Sequence, residues 1–355
     1  MLNTVPLVLA ASLLAPAVPA AAAPDPVRAL AKDIVSSGAS GVQIRTVHNG
    51  RSRTVTAGVS ELDSRKPLSP NGRFRIGSAT KMFTSTVVLQ LVAEHRILLD
   101  TPVDQYVPGL LPHGKEITVR MLLQHTSGLY DYTESLPLFG PELEKIRYRH
   151  HSPESMVAVS TAKPLDFPPG SRHSYSNTNF IVLGMLIERT TGHAWGTEAA
   201  QRILWPLGLR HTSVPGDRTG IAGPHAHGYQ EMNGELVDVT ELNPSMAWAA
   251  GEIISTTADL DEFVRALAAG RLVPPDLLTQ MTTPRSATEE YGLGVRTPVT
   301  ACGNRVFGHT GGIPGFQTVA FTSPDGKQRV EASVTLGRGP DFDWTRAVLD
   351  KVFCS

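Results

Sequence analysis

Strand-like alternation of apolar and polar positions marks both ends of the chain, and helical spacing fills the middle. GVQIRTVH (41–48) and SRTVTAGV (52–59) flank Asn49-Gly50, a dipeptide that accepts positive φ and predicts a hairpin. A short helix is expected before them, over Pro26–Val35, and a short strand after them in RFRIG, Arg73–Gly77. From Ala79 to Leu91 the residues are apolar on nearly every face, the pattern of a buried helix. A helix from Asn179 to Thr191 ends at Gly192, and one from Thr256 to Ala269 carries Leu260, Phe263, Val264 and Leu267 before Gly270. The last stretch turns β again through YGLGVRT, NRVFGHTG, FQTVAFTS and, past Asp325-Gly326, QRVEASVTL; a helix over Trp344–Phe353 closes the chain.

This order predicts an α+β fold. Both termini contribute to one antiparallel sheet (24–77 and 284–355), flanked by the terminal helices. The mainly helical stretch 78–283 forms a second lobe, with a small-molecule cleft between the two.

With 355 residues, 41% of them hydrophobic, the chain can build a substantial core. A formal net charge of -1 offers no electrostatic footprint for nucleic acid or an anionic membrane. Leu2 to Ala23 has no charged side chain, holds an apolar run Pro6–Ala15, and ends in small residues near Ala22 and Ala23. Residues 1–23 therefore read as a signal peptide, although the usual basic residue at its start is missing, and the protein is expected to be secreted. No other run approaches ~18 apolar residues, so no membrane association is expected after cleavage. In an exported protein Cys302 and Cys354, 52 residues apart, read as one disulfide; two unrelated thiols are the alternative.

Three motifs carry candidate chemistry. Ser78-Ala79-Thr80-Lys81 stands at the start of the buried helix. Residues three apart share a face, so Ser78 and Lys81 can meet, and the helix start favours developing negative charge. For Lys81 to take the Ser78 proton its pKa must fall from about 10.4 toward about 7, which burial beneath Met82 and Phe83 can achieve. Tyr175-Ser176-Asn177 lies in a Pro/Gly-rich loop before the next helix; a phenol can shuttle protons, and an asparagine offers both donor and acceptor. His309-Thr310-Gly311-Gly312 lies on a terminal strand, where paired glycines mark a close backbone approach or a bulge.

Together, S-x-x-K, Y-S-N and H-T-G are similar to the signature of β-lactamases and penicillin-binding proteins. These variants resemble the class C β-lactamase and serine D-alanyl-D-alanine carboxypeptidase branch. The resemblance extends through LLQHTSGL (122–129), SYSNTNF, AWAAGEIISTTADL (247–260), YGLGVR and both cysteines.

What the resemblance implies is an acyl-enzyme hydrolase without cofactor or metal. Ser78 is the nucleophile, and Lys81, alone or with Tyr175, activates it. Tyr175 passes a proton to the leaving nitrogen, and the backbone N–H groups of Ser78 and Gly312 form the oxyanion hole. Asn177 holds the substrate's acyl-side amide, Thr310 and Arg296 bind a terminal carboxylate, His309 completes the strand face, and Trp248 walls the cleft. The expected activity is D-alanyl-D-alanine carboxypeptidase on peptidoglycan stem peptides, with β-lactams also bound. A β-lactamase or an esterase on the same scaffold, or a non-catalytic penicillin receptor, is the alternative. One departure is Gly312, where the carboxypeptidases carry a hydroxyl residue. His150, His151, His225 and His227 read as solvated loop histidines, and His125 as a hydrogen-bonded structural residue.

Overall fold

The computed structural model describes residues 25–286 and 288–354, so the expected signal peptide lies outside the described residues. Among these, nine strands occur: β1 (Gly41–His48), β2 (Arg51–Gly58), β3 (Phe74–Arg75), β4 (Tyr229–Met232), β5 (Glu235–Asp238), β6 (Ile254–Ser255), β7 (Phe307–Ile313), β8 (Phe316–Thr322) and β9 (Gln328–Thr335). Asn49 and Gly50 turn β1 into β2 with φ of 49° and 80°, as a two-residue hairpin requires. The main sheet is antiparallel with order β2-β1-β9-β8-β7, and Gly41 faces both Gly58 and Thr335. The first and last strands among the described residues thus lie side by side, and β7 is left at an edge.

The pleat sends alternate residues of β8 to opposite faces. Val319 and Phe321 join a core with Leu30 and Ile34 of the helix Pro26–Ser36 and with Val348 and Val352 of the helix Trp344–Phe353. Asp25 and Asp343 cap those two helices by accepting backbone N–H bonds. Phe316 and Ala320 face the larger core, which contains the helices Thr80–Ala93, Thr178–Thr191 and Thr257–Ala268.

Four expectations need correction. The helix Thr257–Ala268 does not stand apart from the sheet; its Asp261 pairs with Arg45 of β1 and Arg329 of β9, so terminal helices cover only one face. RFRIG supplies only β3, which pairs with β6 outside the main sheet. YGLGVRT makes isolated bridges at Tyr291 and Arg296 and no regular strand. Its Gly294 has φ +75° and a Cβ there would sit 1.7 Å from Ser85 Oγ, so the chain turns tightly against the helix Thr80–Ala93. The middle segment also holds a hairpin, β4–β5, turning at Asn233 and Gly234.

Cys302 and Cys354 are bonded, with Cα atoms 5.7 Å apart, and fasten the final helix to the loop before β7. No helix among the described residues is long and apolar enough to cross a membrane.

Candidate active site

Ser78 sits in a three-residue 3-10 turn, Gly77–Ala79, that feeds the helix Thr80–Ala93. Two glycines let edge strand β7 press against this turn. Gly77 has φ +50°, and a Cβ there would lie 2.7 Å from Gly312 N. A Cβ on Gly311 would lie 1.9 Å from the Ile76 carbonyl oxygen. Gly312 itself faces open space, in a pocket of about 200 Å³ that also exposes Ser78, Asn177, Leu138, Phe139 and Met246. The free N–H groups of a helix start and the edge of a sheet therefore flank the Ser78 hydroxyl, a favourable place for an oxyanion.

Lys81 is fully buried one turn along, on the same face. Its Nζ donates to Ser78 Oγ (3.1 Å), Asn177 Oδ1 (2.7 Å) and the Ala250 carbonyl (2.8 Å). All three acceptors are neutral. Burial pulls the lysine pKa down to about 7; the charge of Asp131 opposes this and that of Arg296 reinforces it. A large share of the amine is then unprotonated at neutral pH and able to accept the serine proton.

The Tyr175 ring lies 5.0 Å from Lys81 Nζ. Burial pushes its phenol above the usual tyrosine range, and the neighbouring Ser78 hydroxyl offsets part of that shift. Among the described residues, no hydrogen bond of ordinary geometry closes on the buried phenol oxygen. A buried hydroxyl with no partner is costly and is satisfied when a substrate group arrives.

Asn177 has both ends of its amide committed. Oδ1 accepts from Lys81, while Nδ2 donates to Asp131 Oδ2 (2.9 Å) and Thr133 Oγ1 (3.3 Å). The side chain bridges Lys81 to Asp131 and lines the Ser78 pocket, with one lone pair of Oδ1 left to accept.

Beneath Tyr175 runs a buried chain of hydrogen bonds whose direction is set at one end. His125 Nδ1 accepts from the Ser176 backbone N–H (3.2 Å) and from Asn179 Nδ2 (3.1 Å), so its Nε2 carries the proton and donates to Tyr291 Oη (3.1 Å). Tyr291 then donates to His309 Nε2 (2.9 Å), and His309 Nδ1 donates to the Thr310 carbonyl. Burial holds both histidines well below their usual pKa, so the chain is neutral. The His125 and Tyr175 rings lie 4.2 Å apart. The structural reading of His125 thus fits its surroundings, and His309 is placed behind the strand, 1% exposed, rather than on the substrate face.

Thr310 shares the face of Gly312 by strand alternation. Arg296 is exposed, and its guanidinium carbon lies 5.9 Å from the Tyr175 ring, with no carboxylate partner among the described residues. Trp248 is not on the wall of this pocket. Its ring packs over Gly184 and edge-on to Trp195 (6.5 Å), on the far side of the short helix Trp248–Gly251. The site also recruits Asp131, Thr133, Tyr291, Leu138 and Phe139, which the motifs did not point to. Asp131 left a trace in the sequence as a lone acid two residues beyond the apolar end of LLQHTSGL, and Tyr291 as the first residue of YGLGVR. Outside the site, His150 pairs with Asp217 and His227 with Asp238.

Residues 27–346 match the family model described as Beta-lactamase. Among solved structures, a D-stereospecific amidohydrolase from Streptomyces sp. superposes with a TM-score of 0.86 at 39% identity, over 93% of this chain and 99% of that one. The D-amino acid amidase of Ochrobactrum anthropi SV3 gives 0.80 at 26% identity, over 92% and 96%. A D-aminopeptidase of Cereibacter sphaeroides is 28% identical over 76% of this chain and 51% of that protein. Penicillin-binding protein 4* of Bacillus subtilis is 26% identical over 82% of this chain and 66% of that one. This chain spans about half the length of the D-aminopeptidases it matches. With the Ser78–Lys81 pair set between a helix start and an edge strand, and with the family model covering nearly the whole described chain, the protein belongs to the beta-lactamase family of serine hydrolases.

Proposed function

We propose that the protein is a D-stereospecific serine peptidase that cleaves the amide bond on the carbonyl side of a D-residue. One observation carries this reading: the 3.1 Å hydrogen bond between Ser78 Oγ and an amine that burial has brought to a pKa of about 7 and that no carboxylate touches. Lys81 removes the serine proton as Oγ attacks the carbonyl carbon. The oxyanion faces the backbone N–H groups of Ser78 and Gly312. The proton passes to the leaving nitrogen through the Tyr175 phenol, and water then hydrolyses the ester to regenerate Ser78.

The pocket supports a short acyl side. At about 200 Å³, with Leu138, Phe139 and Met246 in its lining, it suits one apolar side chain better than a stem peptide. The names of the relatives, a D-stereospecific amidohydrolase, a D-amino acid amidase and D-aminopeptidases, support the D-configuration. The carboxypeptidase expected from sequence has one observation in its favour: unpaired Arg296 beside Tyr175 suits a carboxylate on the leaving group. Secretion remains part of this proposal, supported by the composition of residues 1–23 and by the disulfide.

The test compares D-phenylalanine amide, D-alanyl-D-alanine, N-acyl-D-alanyl-D-alanine and their L-isomers. Hydrolysis of the D-series alone, abolished by Ser78→Ala, is the expected result. Preference for L-substrates, or turnover surviving Ser78→Ala, overturns it. An N-acyl requirement selects the carboxypeptidase.

A further inference from the structure

The helix Trp248–Gly251 is a partition with two working faces. Ala247, Ala250 and Gly251, at spacing i, i+3 and i+4, line the Ser78 pocket. Trp248 and Glu252, four apart, line a different cavity behind it, of about 520 Å³, together with Trp195, Trp205 and Glu188. That volume is ordinary for a small-molecule site.

The lining of this cavity combines indole faces with carboxylates that lack a cation. Trp195 and Trp248 meet edge-on, and Trp205 is 69% exposed, unusual for so large an apolar ring. Glu252 is 1% exposed. Its oxygens accept from Trp195 Nε1 (2.8 Å) and from Gly216 N (3.0 Å), and Glu188 accepts from the Trp195 backbone N–H (3.0 Å). Neither glutamate is paired with a lysine, arginine or histidine among the described residues. Burial, with the charges of Asp217 and Glu188 adding to it, pushes Glu252 up to about 8. As a carboxylate it is hydrogen-bonded through both oxygens but has no counter-charge among the described residues.

We propose that this cavity is a second binding site, for an organic cation: an ammonium or guanidinium carried on an apolar or flat body. The charge sits beside Glu188 and Glu252, and the body lies against the exposed Trp205 and half-buried Trp248 rings. A cation over indole faces is attracted by their quadrupoles, more so where water is excluded. A bound cation favours the ionised form of Glu252, whereas an anion opposes it and a neutral ligand supplies no counter-charge.

The experiment is a titration of the full chain with benzyltrimethylammonium, read by calorimetry and tryptophan fluorescence, with benzyl alcohol as the neutral control. Saturable one-to-one binding is expected, with benzyl alcohol much weaker. Trp205→Ala, on an exposed ring, and Glu188→Gln, on a half-buried side chain, leave the fold intact and each weaken the cation about fivefold or more. Phe139→Ala, in the Ser78 pocket, leaves the affinity unchanged. Absence of saturable binding at millimolar concentrations overturns the proposal. So does equal affinity for benzyl alcohol, indifference to both cavity variants, or loss of binding with Phe139→Ala. The readout is binding alone, so the result stands apart from the chemistry at Ser78.

Discussion

Lys81 and Asp131 do not touch, because Asn177 stands between them, 2.7 Å from the amine through Oδ1 and 2.9 Å from the carboxylate through Nδ2. A carboxylate laid directly on the amine would hold its proton. The amide spacer transmits orientation from Asp131 without transmitting its full charge.

Asn177→Asp tests this spacing. The amine accepts a proton only above its pKa, so acylation in the parent protein rises with pH through about 7. A new carboxylate against Nζ moves that limb upward by about one to three pH units, and the rate near neutrality falls about tenfold or more while recovering in alkali. The pH dependence of kcat/KM checks it; an unmoved limb removes Lys81 from the role of base.

Tyr175→Phe separates proton delivery from packing. The phenol's raised pKa keeps it protonated at neutral pH, as a donor to a departing nitrogen must be. Amide hydrolysis is expected to fall about 10²–10⁴-fold. An ester of p-nitrophenol, whose leaving group needs no proton, is expected to lose far less. Equal losses on both substrates would assign the ring a packing role only.

Gly311→Ala strikes the contact between β7 and the Ser78 turn. The new Cβ meets the Ile76 carbonyl at 1.9 Å and forces the strand away, with an expected cost of about 2.7–4 kcal/mol in barrier height. Gly312→Ala meets nothing and is expected to keep the parent melting temperature. Crystal structures and melting curves of the pair check the contrast.

Glu331, on β9, is wholly buried, and neither carboxylate oxygen has a partner among the described residues. Burial, with Asp261 adding to it, raises its pKa well above 4.5, against the opposing charges of Arg329 and Arg45. Below the unfolded value both states are protonated and nothing is lost. As pH rises past it the unfolded chain ionises first, and stability declines up to the folded pKa. Glu331→Gln removes this slope, so its melting temperature gains on the parent as pH rises above the ordinary carboxyl value of 4.5. A difference that stays constant as pH rises would refute it.

Replacing Cys302 and Cys354 by serine frees the end of the last helix. A closed loop of 52 residues corresponds to about 4 kcal/mol at most in the chain-entropy account. Thermal unfolding with and without reductant measures it, and catalytic turnover at low temperature is expected to persist.

What the sequence disclosed was mostly local chemistry. Asn49-Gly50 announces a turn through its own backbone preferences, and Ser78 with Lys81 announces a face three residues long. The pair Asn233-Gly234 gives the same turn signal, but YQEM and ELVD are too short for their alternation to stand out. Which way a side chain points was far less legible. Trp248 turns from the Ser78 pocket because Gly184 leaves room for its ring behind the partition. His125, Tyr291 and His309 come from three separate segments, and only the tertiary fold reveals that they form one hydrogen-bonded line.

The pairing of β1 with β9 has a temporal side. A ribosome makes Ser78 long before the strand that faces it and the neighbour that anchors that strand. Contacts so distant in sequence form late and slowly. A chain that has not yet reached β7 and β8 therefore lacks the strand edge that faces Ser78.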